Sequence, residues 1–433
     1  MRLSLFMTAA LAAATLQAAD NSFLLRNVTV HPVSGPDVSN ASVLVVDGKI
    51  AEIGAKITSK AKVRVIDAKG LHVYPGMIDA GTMVGIAEIS SVRETTDYNE
   101  VGDFNPQLRS AVAVNPESDH IPVTRANGIT SVLVLPATPG SGRGGGGGFI
   151  QGQASLMHLD GWTWEEMRVE QSAAMMMRLP TMSAAASFDP ATMQVRRGSY
   201  SEGRRNFETQ MRTLRGFLED ARRYRTAKLA KDASLKTDLR YEAMLPVLDG
   251  KSPVLINAAR QREIRTAIEF AAKEGFRLIV AGVRDPGDQL KVLAEKKIPV
   301  ILGSPYDTPL DDDAAYDEPY TLAARLNDAG VKFCFASFGA QFARNLPYQA
   351  GQAANFGLPK DVALKSVTLN AAEILGVAAK AGSIETGKLA DLIVTDGDPL
   401  EIRTQIKMMF IEGRQVDLES KHTRLYKKYL NRP

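Results

Sequence analysis

Five histidines are the residues in this chain most able to bind a transition metal: His31, His72, His120, His158 and His422. Metal sites commonly draw two imidazoles from one element, one or three residues apart, and complete the set with carboxylates. No two of these histidines stand in H-x-H or H-x-x-x-H spacing. A rebuilt site for a divalent metal such as zinc would use His120 with Glu117 and Asp103, but their spacing gives it no support, so no cofactor is predicted. Ser337 has no neighbouring His or Lys in sequence to activate it, which argues against a serine nucleophile. Gly140–Gly148 lacks the Lys-Ser/Thr that completes a phosphate-cradling loop and reads as a simple loop after a strand. The acidic stretch Asp97–Asp103, with Glu94, is expected as a loop over whatever site the fold presents.

The elements that would hold these groups form two patterns. Short β-type runs occur at 23–30, 41–46, 50–53 and 63–66, with the hairpin signal Asp47-Gly48 between the second and third. The pattern returns near the other end at 389–394 and 406–411. One small sheet built from both ends, 20–74 plus 383–433, is therefore expected. Between them, at 75–382, apolar runs (129–135, 254–256, 278–280, 300–302 and 331–335) alternate with helical stretches (263–274, 287–295 and 320–329). That rhythm implies parallel strands with covering helices, at a repeat length suited to a (β/α) barrel. Arg196–Arg240 interrupts it. Phe207, Met211, Leu214 and Leu218 recur there at three- and four-residue steps, so the segment reads as a charged helical insertion with one apolar face. Met175–Met177 reads as adaptable packing.

A length of 433 residues suits a large barrel with a smaller attached domain. Hydrophobic residues make up 45% and charged residues 23%, an ordinary globular composition, and a net charge of +3 does not call for a nucleic-acid partner. Arg2, the apolar run Leu3–Leu16 and the small residues before Asp20 read as a signal peptide over 1–19. The expected location is thus periplasmic or secreted, with no membrane anchor after cleavage. The single cysteine, Cys334, excludes an intramolecular disulfide.

Three stretches, in order, carry a family resemblance: Val73–Ala80 (VYPGMIDA), Val367–Gly376 (VTLNAAEILG) and Gly382–Val394 (GSIETGKLADLIV). Together they resemble the metal-dependent amidohydrolase superfamily, nearest its imidazolonepropionase-like branch. The resemblance implies an α/β fold, a (β/α)8 TIM-type barrel with a small composite β-sandwich from both chain ends. It also implies hydrolysis of non-peptide C–N bonds, an amide or cyclic amide of a small molecule, by a divalent cation that lowers the pKa of bound water.

The same resemblance implies where the metal ligands should stand, and this chain departs from the pattern at every one. The paired histidines after the first strand match Gly81 and Met83. The histidine of the fifth strand matches Asn257 and that of the sixth matches Ala281. The eighth-strand aspartate falls at Phe338. None of these is a usual donor for a borderline metal, so the resemblance implies the fold more securely than the reaction. The matched strand ends still carry Asp79, Thr82, Asn257, Arg260, Arg284, Asp285, Ser304, Ser337 and Arg344, a set suited to an anionic or peptide-like ligand held by Arg forks. Three readings follow. One is a hydrolase with a rebuilt site. Another is a non-catalytic pseudoenzyme binding a small molecule. The last is a partner subunit, either in a homo-oligomer or paired with a related amidohydrolase.

Overall fold

Both ends of the chain meet in one sheet. This computed structural model describes residues 21–57, 63–98, 100–137, 148–182, 187–189, 193–196 and 198–432. The signal-peptide reading and most of the glycine-rich segment lie outside the described residues. Phe23–Val30 pairs antiparallel with Val38–Val46 and parallel with Arg64–Asp67 and His72–Pro75. His72–Pro75 then pairs antiparallel with Leu392–Thr395, and Ile406–Ile411 and Arg414–Val416 follow outward. Asp47 and Gly48 both have positive φ, 49° and 76°, the backbone a tight hairpin between Val38–Val46 and Lys49–Gly54 requires. Strand alternation places Leu25, Val43, Val73, Val394 and Phe410 in one apolar core, where the rings of Phe23 and Phe410 stack 4.2 Å apart.

The second sheet is the expected eight-stranded barrel. Its strands run, in order, Met77–Thr82, Ile129–Val134, Ile150–His158, Arg168–Met177, Val254–Asn257, Leu278–Ala281, Val300–Leu302 and Phe333–Phe335. The fourth to eighth strands pair in parallel. The ends close where the Phe338 N–H donates to the Gly81 carbonyl at 2.8 Å. One strand departs from a uniform parallel barrel. Ile150–His158 runs antiparallel to both neighbours. Only the short helix Trp164–Met167 joins it to the fourth strand, too short a connection to return a chain for parallel pairing.

Regular strand–helix units occupy the second half, with Gln261–Glu274, Gln289–Glu295 and Glu318–Asp328 between consecutive strands. The expected insertion is the 30-residue helix Tyr200–Leu229. Ser199 and Glu202 form its capping box, satisfying otherwise orphan N–H groups of the first turn. Met211, Leu214 and Leu218 are buried on one face, and Arg222 reaches back to Glu274 at 2.7 Å. Met175–Met177 is buried in the fourth strand, as packing.

Candidate functional site at the barrel mouth

The C-terminal ends of parallel barrel strands are where such folds present their polar groups. At the first strand, Asp79 and Thr82 are fully buried. Asp79 Oδ1 accepts from the Gly81 N–H at 3.1 Å and the Ser337 N–H at 3.0 Å. Its Oδ2 has no hydrogen-bond partner. Burial pushes the carboxyl up to about 7, although the bonds from Ser337 and Gly81 oppose the shift. Thr82 Oγ1 donates to the Gly339 carbonyl at 2.7 Å, and Ser337 Oγ stands 3.1 Å from Thr82 Oγ1. These groups tie the first strand to the turn after the eighth.

That turn brings Phe338 into the centre of the mouth. Its φ is +50°, a backbone state costly for a bulky residue and kept only where surrounding contacts enforce it. The ring lies against two glycines. A Cβ on Gly81 would meet Phe338 Cε1 at 3.0 Å, and a Cβ on Gly303 would meet Cδ2 at 3.3 Å. Leu135 closes the Gly81 side, 3.2 Å from the same Cβ position. An aromatic ring thus fills the space above the first strand.

Beside this ring opens a cavity of about 420 Å³ at the ends of the fifth to eighth strands. Asn257, Arg284, Ser304, Ser337, Leu322 and Phe338 are among its walls. The Asn257 Oδ1 sits directly over Gly282, where any side chain would collide with it, and Gly282 has φ +70°. Much of the remaining wall is apolar, with Val283, Leu302, Pro305 and Phe335. This mixture matches ligand pockets in general, in which a few polar groups orient a mostly apolar surface.

The sequence-predicted residues divide three ways. Asn257, Arg284 and Ser337 are brought together, with Ser304. Asp79 and Thr82 do not line the cavity but bond to its Ser337 from below. Arg260, Asp285 and Arg344 do not line the cavity. Arg260 Nη1 donates to both carboxylate oxygens of Asp311 at 2.8 and 2.9 Å, and Asp285 caps the Gly287 N–H at 3.2 Å. Arg344 donates to the Gln341 carbonyl and lies 5.7 Å from the Phe342 ring, while Asn127 holds its main chain. Arg284 does reach the cavity, but it donates to Thr308 O and lies 3.4 Å from Asp307. The three arginines are thus each engaged within the protein in this structure. Asp97, Tyr98 and Glu100 line a different cavity with Gln151 and Gln153, rather than covering the mouth.

The residues present do not fit a catalytic metal. Met83 and Ala281 are buried, and the other matched positions hold glycine, an amide and the Phe338 ring. Among the described residues, no group of three His, Cys, Asp or Glu side chains could hold a metal ion. His120 Nε2 is 2.9 Å from the Glu88 carbonyl, so it does not assemble with Glu117 and Asp103. His158 is buried against Asp391 at 3.0 Å, at the junction with the small sheet. Sequence reasoning weighed Phe338 only as a missing ligand. Its role as a plug was signalled by the glycines at 81 and 303, which leave room for a ring.

The sequence model of the amidohydrolase family matches residues 265–417. The chain is 25% identical to the amidohydrolase tasK of Hapsidospora irregularis over 428 residues, 90% of this chain and 42% of that one. It superposes on a crystal structure of an amidohydrolase from Thermotoga maritima with a TM-score of 0.76 and 27% identity, covering 91% of this chain and 99% of the other. The chain is similar, over most of its length, to members of the amidohydrolase superfamily. Within it, a 48-residue stretch is 52% identical to the imidazolonepropionase of Sphingopyxis alaskensis, 11% of this chain and 12% of that one. The chain thus spans less than half the length of the curated relatives it matches.

Proposed function

We propose that this amidohydrolase-like chain binds a small, largely apolar molecule carrying an amide or cyclic amide, and does so without metal-dependent hydrolysis. The observation that carries this reading is the Phe338 ring packed on Gly81 and Gly303, with an apolar cavity beside it. Asn257 supplies one donor and one acceptor, the complement of an amide. Ser304 and Ser337 add hydroxyls, and Leu322 and Phe335 supply apolar walls. The N-terminal apolar run supports an exported location as part of the same proposal.

The competing reading is hydrolysis of a small amide C–N bond, the activity expected of the imidazolonepropionase-like branch. It would require Phe338 to leave and a ligand set to assemble in its place. Elemental analysis of protein purified without chelator, paired with thermal denaturation in the presence of small lactams, hydantoins and imidazolones, separates the two. Midpoint shifts with metal-free, non-hydrolysing protein support binding, since a ligand favouring the native state stabilises it by mass action. About one zinc, iron or manganese ion per chain, with turnover of any of these amides, would overturn it.

A further inference from the structure

The helix Lys421–Leu430 buries none of its residues. Leu425, Tyr426, Tyr429 and Leu430 are 40%, 67%, 58% and 67% exposed. At 100° per residue these four, with His422, fall on one arc of about 140°. Lys421, Arg424, Lys427 and Lys428 fall on an opposite arc of about 120°, and no acidic residue follows Glu419. The helix is nevertheless held in place. Its Ser420–Thr423 capping box orders the first turn, Ser420 is buried, and Lys421 pairs with Asp119 at 2.8 Å. Lys427 also pairs with Glu419. The protein body therefore presents a helix, tethered at its first turn, with a leucine–tyrosine face open to solvent and lysines and arginines opposite.

From this arrangement we infer a docking surface for an anionic lipid bilayer. Protein–protein interface cores are depleted in lysine, so a lysine-dense helix is poorly composed for burial against another protein. Leucine and tyrosine lying in a headgroup layer, with long basic side chains reaching the phosphates, is the pattern of a helix resting in the membrane plane. Tyrosine suits that depth because its ring is apolar and its hydroxyl polar. No helix among the described residues is long and apolar enough to cross a membrane, so the contact would be peripheral. A single short helix gives reversible attachment, strengthened by the attraction of each basic residue to anionic lipid. The inference is independent of the mouth cavity and of any hydrolytic activity.

Cosedimentation of the full chain with vesicles tests it. One set would be pure phosphatidylcholine and the other phosphatidylcholine with phosphatidylglycerol. The expected result is at least about tenfold stronger binding to the anionic vesicles, weakened by salt. Two variants, Tyr429→Ala/Leu430→Ala and Arg424→Gln/Lys428→Gln, should each lose that binding with unchanged circular dichroism, because the substituted side chains are exposed and make no ion pair with the described residues of the protein body. Hydrogen exchange should slow at 421–430 when vesicles are added. Equal binding to both vesicle types, or anionic binding that both variants retain, would overturn the inference. So would a wild-type dimer that the Tyr429→Ala/Leu430→Ala variant converts to a monomer, which would assign the face to a second copy of the chain.

Discussion

The ring of Phe338 and the backbone of Gly81 exclude any larger pair at the barrel mouth. A Cβ on Gly81 would stand 3.0 Å from Phe338 Cε1 and 3.2 Å from Leu135 Cδ1, inside ordinary contact distance. The glycine at the first strand end and the phenylalanine after the eighth are thus one arrangement, made across more than 250 residues of chain.

Gly81→Ala is expected to cost about 1–3 kcal/mol through overpacking, and Gly81→His more. Phe338→Ala should relieve that cost, so Gly81→Ala with Phe338→Ala loses less than the sum of the singles. Urea unfolding of the four proteins measures the coupling. Strict additivity would show that the ring does not hold the space over Gly81.

The buried His158–Asp391 pair should shape stability against pH. Burial alone would lower the His158 pKa, but the Asp391 carboxylate outweighs it and the net shift is upward. For Asp391, burial opposes ionisation, yet the His158 imidazolium and the Glu412 N–H bring the net shift below 3.8. The histidine contribution is complete below its ordinary 6.5 and is lost as pH rises through the higher folded value. The aspartate contribution is complete above 3.8 and is lost as pH falls through the lower folded value. His158→Ala should therefore cost about 3–5 kcal/mol near pH 5, with the gap to wild type narrowing above neutrality. A gap that stays constant from pH 5 to 9 in denaturant titrations would show that the pair is not ionised.

Asp79 should work in the opposite sense. Its folded carboxyl titrates at about 7 against 3.8 ordinarily, so the folded state keeps a proton that the unfolded state has released. Stability from this group falls as pH rises between those values. Asp79→Asn keeps an acceptor for the Gly81 and Ser337 N–H groups and removes the ionisation. Its stability relative to wild type should improve by about 2–4 kcal/mol between pH 4 and pH 8. A pH-independent difference would contradict a buried carboxyl of raised pKa.

Ligand selection should depend on Asn257 and Phe338 differently. Asn257→Leu removes the amide complement while leaving the cavity about the same size, and is expected to weaken a bound cyclic amide by about tenfold. Phe338→Ala opens space toward Gly81 and should admit bulkier amides. Calorimetric titration of both variants with a small and an enlarged lactam checks the split. Equal losses for both ligands in both variants would deny Phe338 a part in size selection.

Much of the architecture was legible in the amino-acid order, because period and composition are local. The alternation over 23–30, the Asp47-Gly48 turn and the apolar runs at 254–256, 278–280 and 300–302 each name their element within a few residues. The helix Tyr200–Leu229 announced itself by its apolar face. The substitutions at Gly81, Met83, Asn257, Ala281 and Phe338 were visible once the resemblance supplied positions to compare. The third and fourth barrel strands were not recognised. Ile150–His158 carries buried Gln151, Gln153, Ser155 and His158, so its composition hides a buried strand.

Strand direction, and which distant groups touch, were left to the tertiary structure. The reversal of Ile150–His158 depends on the short connection to the fourth strand. The Phe338 plug depends on a turn that crosses the barrel to the first strand, and the engagement of Arg260 by Asp311 depends on a loop folding back over the mouth. Local pattern specifies which face of an element is apolar. Only packing decides which two faces meet, because that choice is made by shape and hydrogen-bond satisfaction between residues hundreds of positions apart.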